Sequence, residues 1–164
     1  MPEKEVVERA RKDAEAGKSP STQAGEFVRE EIHHVREGKH GARSPKQAIA
    51  IGLSKARRAG VKLPPPRRGR SSQQTREHAA RDTRKGKSRS HRMPSRRRSR
   101  AISRALRREG SSSATRRSLS RQTRTSARTR SRASRSAAAK KAVRTKGRAG
   151  LRRAARKAAR TRHS

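Results

Sequence analysis

The chain has 164 residues and a formal net charge of +38, with 50 Lys and Arg set against 12 Asp and Glu. Leu, Ile, Val and Phe together number 16, about half of the ~20% share below which a chain reads as disordered. The absence of Cys excludes a thiolate metal site, a thiol enzyme and a disulfide scaffold, and no apolar run approaches the ~18 residues of a membrane span.

Charge and apolar residues divide the chain. Residues 1–63 carry 14 basic and 9 acidic residues, whereas residues 64–164 carry 36 and 3. Eleven of the larger apolar residues, Val6 to Leu63, lie in the first part. The boundary is Pro64-Pro65-Pro66, which favours extended geometry and stops any helix before it. The expected fold is therefore a small all-α N-terminal module over 1–63, made of a helical hairpin plus a preceding helix. A Pro-rich junction at 64–70 and a long intrinsically disordered basic tail over 71–164 follow. The opening Met-Pro-Glu-Lys-Glu has no apolar segment of a secretory signal and is too acidic for a transit peptide.

A first helix is expected from near Pro2 to about Ala16, with Glu3, Glu5 and Glu8 at the positive end of its dipole and Gly17 as its stop. The second should begin after Pro20, with Ser21 or Thr22 as N-cap. Ala24, Phe27, Val28, Glu31, Ile32 and Val35 then follow an amphipathic stripe up to Gly38. Ser44-Pro45 with Gln47 reads as a capping box opening the third helix. Its apolar face is Ala48, Ile49, Gly52, Leu53 and Ala56, and Gly60 closes it. Gly52 on that face implies close approach to the second helix, since a mid-helix Gly costs about 1 kcal/mol against Ala. So small a core predicts marginal stability, repaired by a partner or by a second copy packing face to face.

The run from Glu26-Phe27-Val28 through Gly38-Lys39-His40-Gly41 to Arg43-Ser44-Pro45-Lys46-Gln47-Ala48-Ile49-Ala50-Ile51-Gly52-Leu53-Ser54-Lys55-Ala56-Arg57 resembles an uncharacterised family of small basic bacterial proteins. That resemblance covers about 40 residues, implies a bacterial source and supplies no activity. The Ala/Lys/Arg composition from Lys140-Lys141-Ala142-Val143-Arg144 to Arg160 is similar to the tails of linker histones and bacterial histone-like proteins.

Function is expected to reside in the tail. A charge of +33 matches the phosphates of roughly 16 base pairs, and counterion release then drives binding. With a third of those charges engaged, log affinity should fall with log salt at a slope near −10. The candidate contacts are Arg67 and Arg68 at the junction, the Arg96-Arg97-Arg98 run, Arg116 and Arg117. Arg128, Arg130 and Arg132 follow, then Lys140, Lys141 and Arg144, and lastly Arg152, Arg153, Arg156 and Lys157. In the module, Lys39, Arg43 and Lys46 surround the third helix's N-terminus, a phosphate seat if it is more than a basic loop. Arg57 and Arg58 complete the set as a weak DNA-contacting face. Segments 101–109 and 136–160 are candidates to fold into helices on contact, and the Arg-Ser steps are candidate phosphorylation sites. With Phe27 the sole aromatic, readers that stack bases on rings are disfavoured.

Glu30-x-x-His33 and Glu31-x-x-His34 have the i, i+3 spacing of helical di-metal proteins, but no second such motif accompanies them. They read as exposed charge pairs, with no metal and no cofactor expected. No catalytic constellation is visible, so an enzyme is not expected. The loop between the second and third helices is longer than that of a helix-turn-helix reader. The expectation is a cytoplasmic, nucleoid-associated, histone-like protein that compacts DNA without sequence readout, duplex DNA being favoured over RNA. RNA-binding, ribosome-associated and virion genome-neutralising proteins are the alternatives.

Overall fold

A computed structural model describes residues 3–69, 71–88 and 95–160. Every α-helix and the one short turn of helix among them follow in chain order. They are α1 (Lys4–Glu15), α2 (Pro20–Arg36), α3 (Pro45–Arg58), α4 (Gln73–Lys87), α5 (Arg96–Arg108), a 3₁₀ turn (Ser112–Ala114), α6 (Arg116–Arg128) and α7 (Arg132–Arg160). The chain divides into two compact units, Met1–Ser120 and Arg121–Ser164. Of the expected elements, Pro2, the last residue of the 64–70 junction, and residues 89–94 and 161–164 of the tail fall outside the described residues.

In the first unit the local signals set the helix ends. Gly17, Gly38 and Gly60 follow α1, α2 and α3 with φ of 68°, 71° and 92°, the left-handed geometry that releases a helix C-terminus. Ser44 Oγ accepts from Gln47 N–H at 3.3 Å, while Gln47 Oε1 accepts from Arg43 N–H at 2.9 Å. The box thus closes one residue ahead of its usual partner. The second helix starts earlier than expected. Ser19 occupies its N-cap position and Pro20 its first turn, because proline's fixed φ is already helical.

Helices α2 and α3 pack as an antiparallel pair. Val35 near the end of α2 shares a cluster with Ala48 early in α3, whereas Ala24 and Phe27 share one with Ala56 late in α3. A Cβ at Gly52 would sit 2.7 Å from Val28 Cα, so the crossing requires glycine there. Val6 and Ala10 of α1 complete the first cluster, along with Val61, and Ala42 and Ala114 complete the second. The small core is closed within the chain, by α1 and by the 3₁₀ turn. Arg36 Nε donates to Ala114 O at 2.9 Å, and the Gly41 and Ala42 N–H groups donate to Leu106 O and Gly110 O at 2.9 and 3.1 Å. This unit therefore extends well past residue 63. At Gly41 a Cβ would overlap the Glu109 carbonyl.

Charge is buried in this core as well. Glu30 and Glu31 are 6% and 0% exposed, so they are not the surface pairs that their spacing suggested. Lys55 Nζ from α3 reaches Glu31 Oε2 at 2.7 Å and Glu30 Oε2 at 3.4 Å. Glu3 N–H donates to Glu30 Oε1 at 2.8 Å. Hydrogen bonds from His34 and Lys39 hold the Glu3 carboxyl below its ordinary range, and Glu37 with Glu3 raises the Lys39 ammonium above its own.

A long intrinsically disordered tail is contradicted: helices run from Gln73 to Arg160 with short connections. The sequence reading required buried apolar surface for order. That surface is scarce, since α5, α6 and α7 have no buried residue. Local terms carry these helices instead. Ser72 Oγ, Thr115 Oγ1 and Ser131 Oγ each accept a backbone N–H three residues on, from Thr75, Ser118 and Ser134, each at 3.2 Å. Ala, Arg and Lys between the caps are strong helix formers. The segments expected to fold only on contact fall on α5, apart from its C-cap Glu109, and within α7. In the second unit, Gly147 (φ 63°, ψ 170°) breaks α7 into two stretches, a conformation essentially confined to glycine.

Candidate nucleic-acid interface

The basic helices sort their charges by periodicity. On α5, Arg96, Arg97, Arg100, Arg104, Arg107 and Arg108 fall within an arc of about 120° at 3.6 residues per turn, with Ile102 and Leu106 on the other side. On α6, Arg116, Arg117, Arg121, Arg124 and Arg128 span about 140°. After the break in α7, Arg148, Arg152, Arg153, Arg156, Lys157 and Arg160 cover about half the circumference, opposite Leu151, Ala154 and Ala158. Before the break, Arg132, Arg135, Lys140, Lys141, Arg144 and Lys146 are distributed all round. Each of these side chains is exposed. From Gly110 to Ser164 the sequence holds 19 basic residues and no acidic one, so no carboxylate side chain within that stretch can neutralise them.

Arg67, Arg68, Arg98 and Arg130 are also exposed, on the turn after the prolines, on α5 away from its main arc, and between α6 and α7. The third-helix seat is different. Arg43 and Lys46 are exposed, but Lys39 is paired with Glu3 and Glu37 at 3.3 and 3.2 Å. The loop amides of Gly41, Ala42 and Arg43 already have acceptors within the chain, so little of an anion cradle is left. Arg57 needs correction too. It is 7% exposed, with its guanidinium 3.5 Å from the Leu53 and Pro64 carbonyls. Burial pushes that guanidinium below its usual range, and the charge of Asp82 opposes the shift. Arg58 Nε donates to Asp82 Oδ1 at 2.7 Å, and Ser54 Oγ donates to the other oxygen of the same carboxylate. Arg57 thus fastens α3 to the junction, and Arg58 ties it to α4 while 57% of the Arg58 side chain stays exposed.

The candidate contacts drawn from the sequence leave out Arg100, Arg104, Arg107, Arg108, Arg121, Arg124, Arg135, Lys146, Arg148 and Arg160. The signal that finds them is i, i+3, i+4 spacing between Ser or Thr caps.

Residues 11–68 match the model of a family of unknown function, DUF6496. The matched stretch runs from within α1 through α3 to the turn after the prolines, and includes Glu30, Glu31, His34, His40 and Lys55. No curated protein and no solved structure matches the chain. No helix among the described residues is long and apolar enough to cross a membrane.

Proposed function

We propose that this chain binds nucleic acid through the phosphate backbone, duplex DNA in preference to RNA, and compacts it within the nucleoid without reading base sequence. The observation that carries the reading is the stretch from Gly110 to Ser164, with 19 positive charges and no negative ones. Presented as arcs on α6 and the end of α7, guanidinium groups suit bidentate contact with successive phosphates. The sole aromatic, Phe27, is fully buried. Recognition by stacking unpaired bases on Phe, Tyr or Trp rings therefore has no exposed side chain to use, which favours backbone contact.

The test is competition binding of the full chain to duplex DNA and structured RNA across a salt series. A steep slope is expected, with duplex DNA favoured and little dependence on base sequence. Replacing Arg117, Arg121, Arg124 and Arg128 of α6 with Gln should reduce the slope by about 0.9 for each phosphate left without its guanidinium. A clear preference for RNA, or a slope unchanged by the four substitutions, would overturn this assignment.

A further inference from the structure

On α2 and the loop after it lies chemistry that phosphate binding does not use. Glu31 is fully buried. Neither of its oxygens makes a hydrogen bond: Oε2 faces Lys55 Nζ at 2.7 Å, and Oε1 lies 3.2 Å from His40 Nε2. His40 Nδ1 is 3.1 Å from the Gly41 carbonyl, which only accepts, so the Nδ1 proton is committed there. With Nδ1 so committed, His40 Nε2 and the carboxylate oxygen are held together either by a proton on Nε2 or by a metal ion between the two atoms. The 3.2 Å separation matches the edge between two ligands about 2.0–2.1 Å from a tetrahedral ion, which is about 3.3 Å. His34 supplies a third donor one turn along α2 from Glu31. Ligand atoms of Glu31, His34 and His40 all lie within 4.8 Å of one another. The two imidazoles meet edge to face with centroids 6.0 Å apart.

We propose that Glu31, His34 and His40 form a zinc site. One carboxylate and two imidazoles are a borderline donor set that suits zinc, whereas magnesium and calcium favour all-oxygen shells. The outer contacts are those of a metal centre. The Gly41 carbonyl fixes the His40 tautomer, Lys55 holds the second oxygen of Glu31, and Glu3 Oε1 lies 3.0 Å from His34 Nε2. The adjacent carboxylates Glu30 and Glu31 share the single ammonium of Lys55, and a divalent ion supplies the positive charge they lack. Side-chain exposures of 12% for His34 and 19% for His40 give the ion a way in. The i, i+3 spacing of Glu31 and His34 is visible in the sequence. The donor from the α2–α3 loop is not.

The experiment uses the full-length, untagged chain stripped of metal and titrated with Zn²⁺ against a chromophoric chelator. One ion per chain is expected, with Kd below about 1 μM. His34→Ala and His40→Ala should each weaken binding at least about tenfold, and His33→Ala, at an exposed position on α2, should leave it unchanged. Ring-nitrogen NMR of the unaltered chain gives a reading independent of any substitution. One equivalent of Zn²⁺ should move the His34 and His40 signals and spare those of His33 and His78. Kd above about 100 μM, wild-type affinity in folded His34→Ala and His40→Ala chains, or His34 and His40 signals that do not respond would each overturn the proposal.

Discussion

Replacing Lys55 with Met tests whether the buried carboxylates of α2 depend on one ammonium. Lys55 Nζ stands 2.7 Å from Glu31 and 3.4 Å from Glu30, whose side chains are 0% and 3% exposed. Removing one member of a buried pair costs about 3–5 kcal/mol, because the other charge is stranded. The Lys55 side chain is 21% exposed, and water already screens part of its charge, so about 3 kcal/mol is expected. With a urea dependence near 2 kcal/mol/M, the unfolding midpoint should fall by about 1.5 M. Circular dichroism in urea, at neutral pH with a chelator present, measures it. Combining Lys55→Met with Glu31→Gln should recover more than half of that decrease, since the stranded charge is gone. A Lys55→Met chain within about 1 kcal/mol of the parent would refute the reasoning.

Other substitutions probe the remaining joints. Gly41→Ala should cost about 1–3 kcal/mol through overpacking against the Glu109 carbonyl, and hydrogen exchange should show weaker protection of the Gly41 and Ala42 amides. Asp82→Ala removes the shared acceptor of Ser54 and Arg58; a destabilisation of about 1–3 kcal/mol is expected in thermal unfolding, with α4 exchanging faster than α2. Arg57→Met replaces a buried guanidinium whose Nε has no partner; stability should stay within about 1 kcal/mol or rise, and DNA affinity should not change. Gly147→Ala should raise helicity by joining the two parts of α7, because alanine disfavours positive φ; Cα chemical shifts around Lys146 and Arg148 report it.

How much could be read in advance depended on where order comes from. Around α1, α2 and α3 it comes from features written locally: Ser44 and Pro45 at a start, Gly38 and Gly60 at ends, and a stripe from Ala24 to Val35. Glu31 lies on that stripe too, yet its spacing with His34 was read as an exposed charge pair and its burial was missed. Its partners were out of reach of the sequence, because Lys55 and His40 meet it only after α2, the loop and α3 have packed. The later helices were read as a disordered tail, with helix only on contact in 101–109 and 136–160, for the opposite reason. Ser72, Thr115 and Ser131 are as local as Ser44, but a reading that demanded apolar burial gave no weight to caps on helices that bury little or nothing. For the candidate interface, the charge excess was legible from composition alone. The sorting into arcs required helix, and the engagement of Arg57 and Arg58 in α3's own packing required tertiary structure.

The break at Gly147 bears on how far a stiff basic element can follow a curved polyanion. Unbroken, the 29 residues of α7 would form a rod about 43 Å long at 1.5 Å per residue, longer than the ~34 Å of one duplex turn. Such a rod is tangent to the winding phosphate track at one point, and its ends diverge from it. Divided at Gly147, the element becomes two spans of about 20 Å joined by a single residue. Each span can lie tangent to its own stretch of backbone, so the joint lets the charges on the facing side of each span follow the curvature at no cost in bent helix.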